Sequence, residues 1–317
     1  MTIITIIGAA GKMGKWFFQY FNSIKNKDYQ AENANSLSID KILLYDLKQI
    51  NYVHPSDNNE HVVITNNISE SIKISDIIVF CTPVDEIIKT INHNIAVFKA
   101  GSLIIEISSV KSKIHQTLSY ISSNLNIVTL CIHPMFGPGA SIFSKNKVIF
   151  IPVNNNNRET EEDLLNKLFP SFDKILIENP SKHDLAISVI ISLIYFINIV
   201  FSKFLVELSN TKEFQFEEDL MQFFKKISGS TFKIQSLLSE SILTDDISLF
   251  LTLFVDNNTS VITINRYRQL FEDLLAKIEK EDHDFIKKYI LTTKNSIEKD
   301  VDINMSYKIL YKFLNSN

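Results

Sequence analysis

Apolar residues follow two different patterns along this chain. From Thr2 to Ile177 they come as short unbroken runs rich in β-branched residues: Thr2 to Ile7, Lys41 to Asp46, Ile77 to Cys81, Ser102 to Ile107, Ile127 to Ile132, Lys147 to Val153 and Lys174 to Ile177. Runs of that length without alternation predict strands buried on both faces. Helical stretches such as Lys15 to Phe21 and Glu159 to Leu168 fall between them. That rhythm is the one of βαβ units and a mostly parallel sheet. After Pro180 no proline follows and Gly229 is the single glycine. Apolar residues there recur at helical spacing, with Leu270, Leu274, Leu275 and Ile278 on one face. The expected division is an α/β domain over 1–180 and an all-α domain over 181–317, with Ser181 able to cap its first helix.

One stretch tests this reading. Leu185 to Ser202 carries no charge over 18 residues, at the lower edge of membrane-spanning length. It contains Ser188, Ser192, Tyr195 and Asn198 and lacks flanking basic clusters, so the expectation is a helix buried on all sides within the helical domain. The apolar start, Met1 to Ile7, has no basic segment before it and no small-residue cleavage site, and is not read as a signal peptide.

Composition narrows the function classes. A length of 317 residues suits two domains, and 45% apolar residues suffice for real cores. The net charge of −4 leaves no extended basic surface, which argues against nucleic acid as a partner. Cys81 and Cys131 are the only cysteines. They are too few for a disulfide framework or a cysteine-built zinc site, and they fit a reduced, cytosolic setting. No metal ligand set is expected.

Candidate chemistry gathers where strands end. The first strand runs into Gly8-Ala9-Ala10-Gly11-Lys12-Met13-Gly14 and then a helix. Glycines in a strand–turn–helix context permit a tight turn and close approach of a pyrophosphate, and the helix amino end attracts its charge. The spacing is G-x-x-G-x-x-G, with Ala9 where the commoner G-x-G-x-x-G pattern has its first glycine; a plain βα turn is the alternative. Asp46 ends the second strand, where an acid would accept from the adenosine ribose hydroxyls and favour NAD; Lys48 nearby keeps NADP open. The polar stretch Asn26 to Asn35 accounts for the long spacing between the glycines and Asp46, and a solvated turn acid is the alternative for Asp46. Thr82-Pro83, Ser109 and Lys111 follow later strands. In a mostly parallel sheet all of these positions lie at one edge, beyond the carboxyl ends of the strands.

At the same edge stands His133-Pro134-Met135-Phe136-Gly137-Pro138. Two prolines stiffen it, and the residue before a proline is held extended. His133 is thus an aimed imidazole, suited to moving one proton; a structural turn histidine is the alternative.

With these residues in view the chain resembles the prephenate dehydrogenase family, particularly its archaeal-type members. The resemblance rests on Ile6 to Phe17, Ser108-Ser109-Val110-Lys111, His133 to Pro138, His183-Asp184, and the block from Ser230-Thr231-Phe232-Lys233 to Asp256-Asn257-Asn258. It implies NAD(P) on a Rossmann-like first domain, held by Gly8, Ala10, Gly11, Lys12, Met13, Gly14, Asp46, Thr82 and Pro83, and a homodimer formed through the helical domain. It implies oxidation of prephenate, with loss of CO2, to 4-hydroxyphenylpyruvate on the route to tyrosine. His133 would take the proton of the ring 4-hydroxyl as hydride leaves, Ser109 would hold that histidine or the hydroxyl, and Lys111 would help with a carboxylate. Two departures stand out. A histidine common in the family about twelve residues after His183 is replaced by Tyr195, and the arginines that grip substrate carboxylates in bacterial members fall near Ser241 or Leu251. The chain has three arginines, Arg158, Arg266 and Arg268; Lys233, Arg266 or Arg268 would substitute, and Tyr195 and Lys233 are the substrate-binding candidates. Arogenate as substrate, another two-domain hydroxy-acid dehydrogenase, and a non-catalytic nucleotide sensor are the alternative readings.

Overall fold

Strands β1 (Ile3–Ile7), β2 (Lys41–Tyr45), β3 (Val62–Ile64), β4 (Ile77–Phe80), β5 (Leu103–Glu106), β6 (Val128–Pro134), β7 (Lys147–Ile151) and β8 (Asp173–Leu176) form one sheet in the order β3-β2-β1-β4-β5-β6-β7-β8. The computed structural model describes residues 1–25, 38–53, 61–154, 157–211 and 219–315; the polar stretch 26–35 and part of the loop 154–157 lie outside them. Every strand pair is parallel except β6 with β7. All four residues of β4 and of β5 are buried, as expected where helices cover both faces of a parallel sheet. Strand β3 is three residues long and only partly buried, too short to read from an apolar run.

Register fixes the site's position. Ile7 pairs with Tyr45 and Phe80, Phe80 with Glu106, and Glu106 with Cys131. The residues that follow these are therefore level at one sheet edge. The helices of this unit are α1 (Lys12–Lys25), α2 (Ile68–Ile74), α3 (Val84–Asn94), α4 (Ser112–Asn124), α5 (Arg158–Leu168) and α6 (Pro180–Ile187). On α1, Trp16, Phe17, Tyr20 and Phe21 are buried at helical spacing and pack with Phe169 and Phe172. Trp16 also meets Phe136, with ring centroids 4.7 Å apart, and donates from Nε1 to the Ala140 carbonyl at 2.7 Å. The loop after β6 is thereby tied to α1.

The chain divides into two compact units, 1–187 with 251–256, and 188–250 with 257–317. Residues 181–187, expected at the opening of the helical domain, thus group with the sheet. The second unit is helical: α7 (Ile194–Ser209), α8 (Leu220–Ile227), α9 (Ser230–Ile242), α11 (Asn258–Glu279), α12 (His283–Ile297) and α13 (Ile303–Asn315), with the short α10 (Ile247–Leu251) at its border. Buried Asn198 joins α7 to α9, accepting from Gln235 Nε2 at 2.8 Å and Ser239 Oγ at 2.7 Å.

The expectation of a helix buried on all sides is corrected here. Residues 180–209 form one helical segment with a π-helical turn at Ser188–Leu193, and 22% of its most apolar window is buried. By length and hydropathy it is the one described helix that could cross a membrane unaided. Within α7 only Asn198 and Leu205 are buried. A helix apolar all round presents more faces than the neighbours in a single chain cover.

Candidate active site

The turn between β1 and α1 leaves no room for a side chain at Gly8 or Gly14. Gly8 has φ +87°, and a Cβ there would lie 2.7 Å from the Cys81 carbonyl oxygen. A Cβ on Gly14 would lie 2.1 Å from the Gly8 carbonyl oxygen. Helix and strand thus approach more closely than any residue with a Cβ permits. Gly8 and Ala9 amides donate to the Tyr45 carbonyl, at 3.0 and 3.1 Å, and the Gly11 amide to Gly8 O at 3.1 Å. Asp46, at the end of β2, accepts from the Ala10 amide at Oδ2 (2.9 Å) and from the Lys48 amide at Oδ1 (2.8 Å). Its carboxylate therefore braces the turn, with lone pairs left for a ligand. Tyr52 adds a brace that the sequence reading missed, donating to Ala9 O at 2.7 Å.

These features suit a dinucleotide. The amino end of α1 faces the glycine turn, as phosphate binding requires. Next to the turn, after β4, Thr82 Oγ1 is buried without a hydrogen-bond partner among the described residues, and its Cγ2 borders the space above Gly8. A buried orphan hydroxyl beside the glycine turn is the kind of group that a bound ligand satisfies. Pro83 follows, exposed, and caps α3.

Two strands further along, β5 ends in an acid. Glu106 is fully buried in an otherwise apolar strand, and Lys111 is as fully buried beside it. Lys111 Nζ donates to Glu106 Oε2 at 2.7 Å and to the Ile132 carbonyl at 2.6 Å. Glu106 Oε1 also accepts from the Ser108 amide. Cys131 Sγ lies 3.5 Å from Glu106 Oε2, and burial raises its thiol pKa well above the ordinary value. An ion pair without water needs such supplementary hydrogen bonds to be tolerated. Its consequence is geometric: the loop 107–111 is clamped to β6 at the residue before His133.

His133 lies one residue before the end of β6, held extended ahead of Pro134, and pairs with Ile149. His133 is 3% exposed, and its Nδ1 lies 3.0 Å from His183 Nε2. His183 Nδ1 in turn lies 2.8 Å from Asp184 Oδ1. Asp184 Oδ1 also accepts from the Lys111 amide and Oδ2 from the Ser112 amide, both at 2.8 Å. Burial, then the Lys111 ammonium and then His183, push the His133 pKa well below its ordinary 6.5, so the ring is a neutral base near neutral pH. Burial likewise lowers His183, against the pull of Asp184. Asp184 is held below the usual carboxylate range; burial opposes this, but hydrogen bonds from His183, Ser112 and Lys111 outweigh it.

Residues 38–171 match the profile described as prephenate dehydrogenase, nucleotide-binding domain. Those residues are similar to the nucleotide-binding domain of the prephenate dehydrogenase family. The glycine turn at residues 8–14 lies outside the matched residues. A curated relative, the probable arogenate/prephenate dehydrogenase of Methanocaldococcus jannaschii, is 25% identical over 208 residues, which are 65% of this chain and 43% of that protein. The aligned part thus spans less than half the length of the curated relative. The fold is also that of two solved structures. Prephenate dehydrogenase from Aquifex aeolicus, solved with hydroxyphenyl propionate and NAD+, superposes with a TM-score of 0.65 at 18% identity, over 94% of this chain and 98% of that one. Synechocystis arogenate dehydrogenase gives 0.61 at 17% identity, over 95% and 100%.

The first unit brings together most of the expected site residues: Gly8, Ala10, Gly11, Lys12, Met13, Gly14, Asp46, Thr82, Pro83, Ser109, Lys111 and His133 all follow or end strands β1, β2, β4, β5 and β6. Two expected roles change. Lys111 is fully buried and bound to Glu106 and Ile132, so its ammonium cannot reach a substrate carboxylate. Ser109 is half-buried, and no hydrogen bond joins it to His133, whose ring is held by His183 instead. Tyr195 stands in the helical unit and donates to Asp245 Oδ2 at 2.6 Å, with its pKa raised by burial and by Asp245. Lys233 is exposed on α9. Glu106 and the Asp184 contacts were missed, although an acid inside an apolar strand was a visible signal.

Proposed function

We propose that this chain is an NAD-dependent dehydrogenase that converts prephenate, with loss of CO2, to 4-hydroxyphenylpyruvate for tyrosine synthesis in the cytoplasm, acting as a homodimer. The observation that carries this reading is a neutral, buried His133 on the sheet edge that also holds the glycine turn. NAD, when bound, supplies the hydride acceptor. Gly8, Gly11, Gly14 and the amino end of α1 would hold its pyrophosphate and Asp46 its ribose, and Thr82 Oγ1 would gain the partner it lacks.

His133 accepts the proton of the substrate's ring hydroxyl, and Ser109 orients that hydroxyl. A neutral base suits the step, because an imidazolium could not accept the proton. Loss of CO2 then makes the ring aromatic, so the protein's task is positioning and one proton transfer. The substrate's carboxylates call for cations. Lys233 and Arg266 are exposed and form no ion pair among the described residues, whereas Arg158 is bound to Glu162 and Glu178 and Arg268 to Glu272. Lys233 is the candidate cation, with Arg266 as the alternative, whereas Tyr195 gives its only hydroxyl hydrogen to Asp245 and has no donor left for a carboxylate.

Arogenate differs from prephenate by an amino group in place of the keto group, and the relatives include proteins named for each. The test is NADH formation by the purified chain with prephenate and with arogenate, each with NAD and NADP in parallel. Turnover with prephenate and NAD is expected. Turnover with arogenate alone would reassign the substrate, and silence with both would overturn the reading.

A further inference from the structure

The chain His133–His183–Asp184 contains more information than a set of contacts. Asp184 accepts two backbone hydrogen bonds, from Lys111 and Ser112, and its carboxylate is also 2.8 Å from His183 Nδ1. A carboxylate can only accept, so His183 Nδ1 must carry hydrogen. The ring of His183 is fully buried and its pKa is lowered, so it holds one proton and its Nε2 is bare. That bare nitrogen lies 3.0 Å from His133 Nδ1. A hydrogen bond at this distance needs a proton on His133 Nδ1, which leaves His133 Nε2 unprotonated. His133 Nε2 makes no hydrogen bond among the described residues, and the residue keeps 3% of its surface exposed.

We propose that Asp184 and His183 are positioning residues that fix the tautomer of His133 through two imidazoles, so that Nε2 is the nitrogen that takes the substrate proton. The identity of that proton rests on the reading under Proposed function; the tautomer does not. The backbone amides of Lys111 and Ser112 fix the carboxylate, and the buried Lys111–Glu106 pair fixes the loop from which those amides come. The tautomer of the base is thus specified by the same loop that holds β5 to β6. Of the two ring nitrogens, the structure commits one to the protein and keeps the other for chemistry.

The test is long-range 1H–15N correlation on histidine-labelled protein near neutral pH, with assignments from His133→Asn and His183→Leu. The expected spectrum places His133 Nδ1 in the N–H range and Nε2 in the bare-nitrogen range, with the same pattern for His183. In His183→Leu the His133 signals move to values averaged between the two tautomers. In the same variant kcat falls by roughly 10²-fold or more while NAD affinity stays within about twofold, because a base in the wrong tautomer cannot accept the proton. A proton on His133 Nε2 in the native protein, or a doubly protonated His183, would overturn the proposal. So would His133 signals unchanged in His183→Leu. Should that variant not fold, the native spectrum alone decides. A native protein with the expected tautomer and no turnover of prephenate or arogenate would sink the proposed function and leave this inference standing.

Discussion

At the scale of single residues, the site depends on groups placed where their ordinary charge state is unfavourable. His133 is the clearest case. Replacing it with asparagine removes the proposed base and keeps a similar volume, so turnover should fall by about 10²- to 10⁴-fold with NAD affinity unchanged. Steady-state kinetics and NADH fluorescence measure the two, and undiminished turnover would remove His133 from the mechanism. Lys111 behaves differently. Lys111→Met leaves Glu106 buried without its partner, and breaking a buried pair costs about 3–5 kcal/mol. Denaturant unfolding should show that loss; a change below about 1 kcal/mol would mean that water reaches Glu106. Glu161 on α5 is fully buried and accepts from the Val153 amide and Thr129, yet burial raises its pKa from 4.5 to about 7. The folded state therefore binds this proton more tightly than the unfolded one. Its stabilising contribution is present below pH 4.5 and is lost as pH rises to about 7. The stability difference between native protein and Glu161→Gln should follow that slope and flatten above it, which pH-dependent unfolding measures.

At the scale of elements, the β1–α1 unit carries the cofactor argument. The requirement at Gly14 is close approach of α1 to β1, since its backbone is ordinary helix while a Cβ would meet Gly8 O at 2.1 Å. Gly14→Ala must push the helix away from the strand, with a strain of about 1–3 kcal/mol and a displaced set of helix-end amides. NAD should then bind about tenfold or more weakly, by titration of NADH fluorescence; unchanged affinity would mean that the pyrophosphate does not sit on this turn. The aromatic face of α1 has a second role that its sequence spacing did not reveal. Spacing marks Trp16, Phe17, Tyr20 and Phe21 as core, but only the packed structure shows Trp16 holding Phe136 and Ala140. Phe136 and its prolines are legible as a stiff loop; that the loop is anchored to α1 is not.

At the scale of the whole molecule, apolar surface is unevenly spent. In the helical unit, Leu270, Phe271, Leu275 and Ile278 on α11 are between 42% and 58% exposed, and Val200, Phe204 and Val206 on α7 between 50% and 56%. A run of exposed apolar positions on one helix face marks an interaction surface, which fits the proposed homodimer. Phe271→Glu should convert a dimer to a monomer in analytical ultracentrifugation; a native protein that sediments as a monomer would refute the dimer outright.

What the sequence determined by itself is local: which runs are strands, where the glycines demand a turn, that the second half is helical, and that His133 ends a stiffened strand. Each of these follows from φ restrictions or from apolar spacing within about twenty residues. Tertiary structure decided the pairings across longer separations. His183 meets His133 from 50 residues away and Asp184 meets Lys111 from 73, and no local rule brings those residues together. Burial decided the rest. Lys111 reads as a surface cation available to a substrate until the fold places it beside Glu106, where desolvation makes the pair a structural tie. The same asymmetry explains the 180–209 helix. Its apolar composition is plain in the sequence, but the number of its faces that neighbours cover is a property of the packing alone.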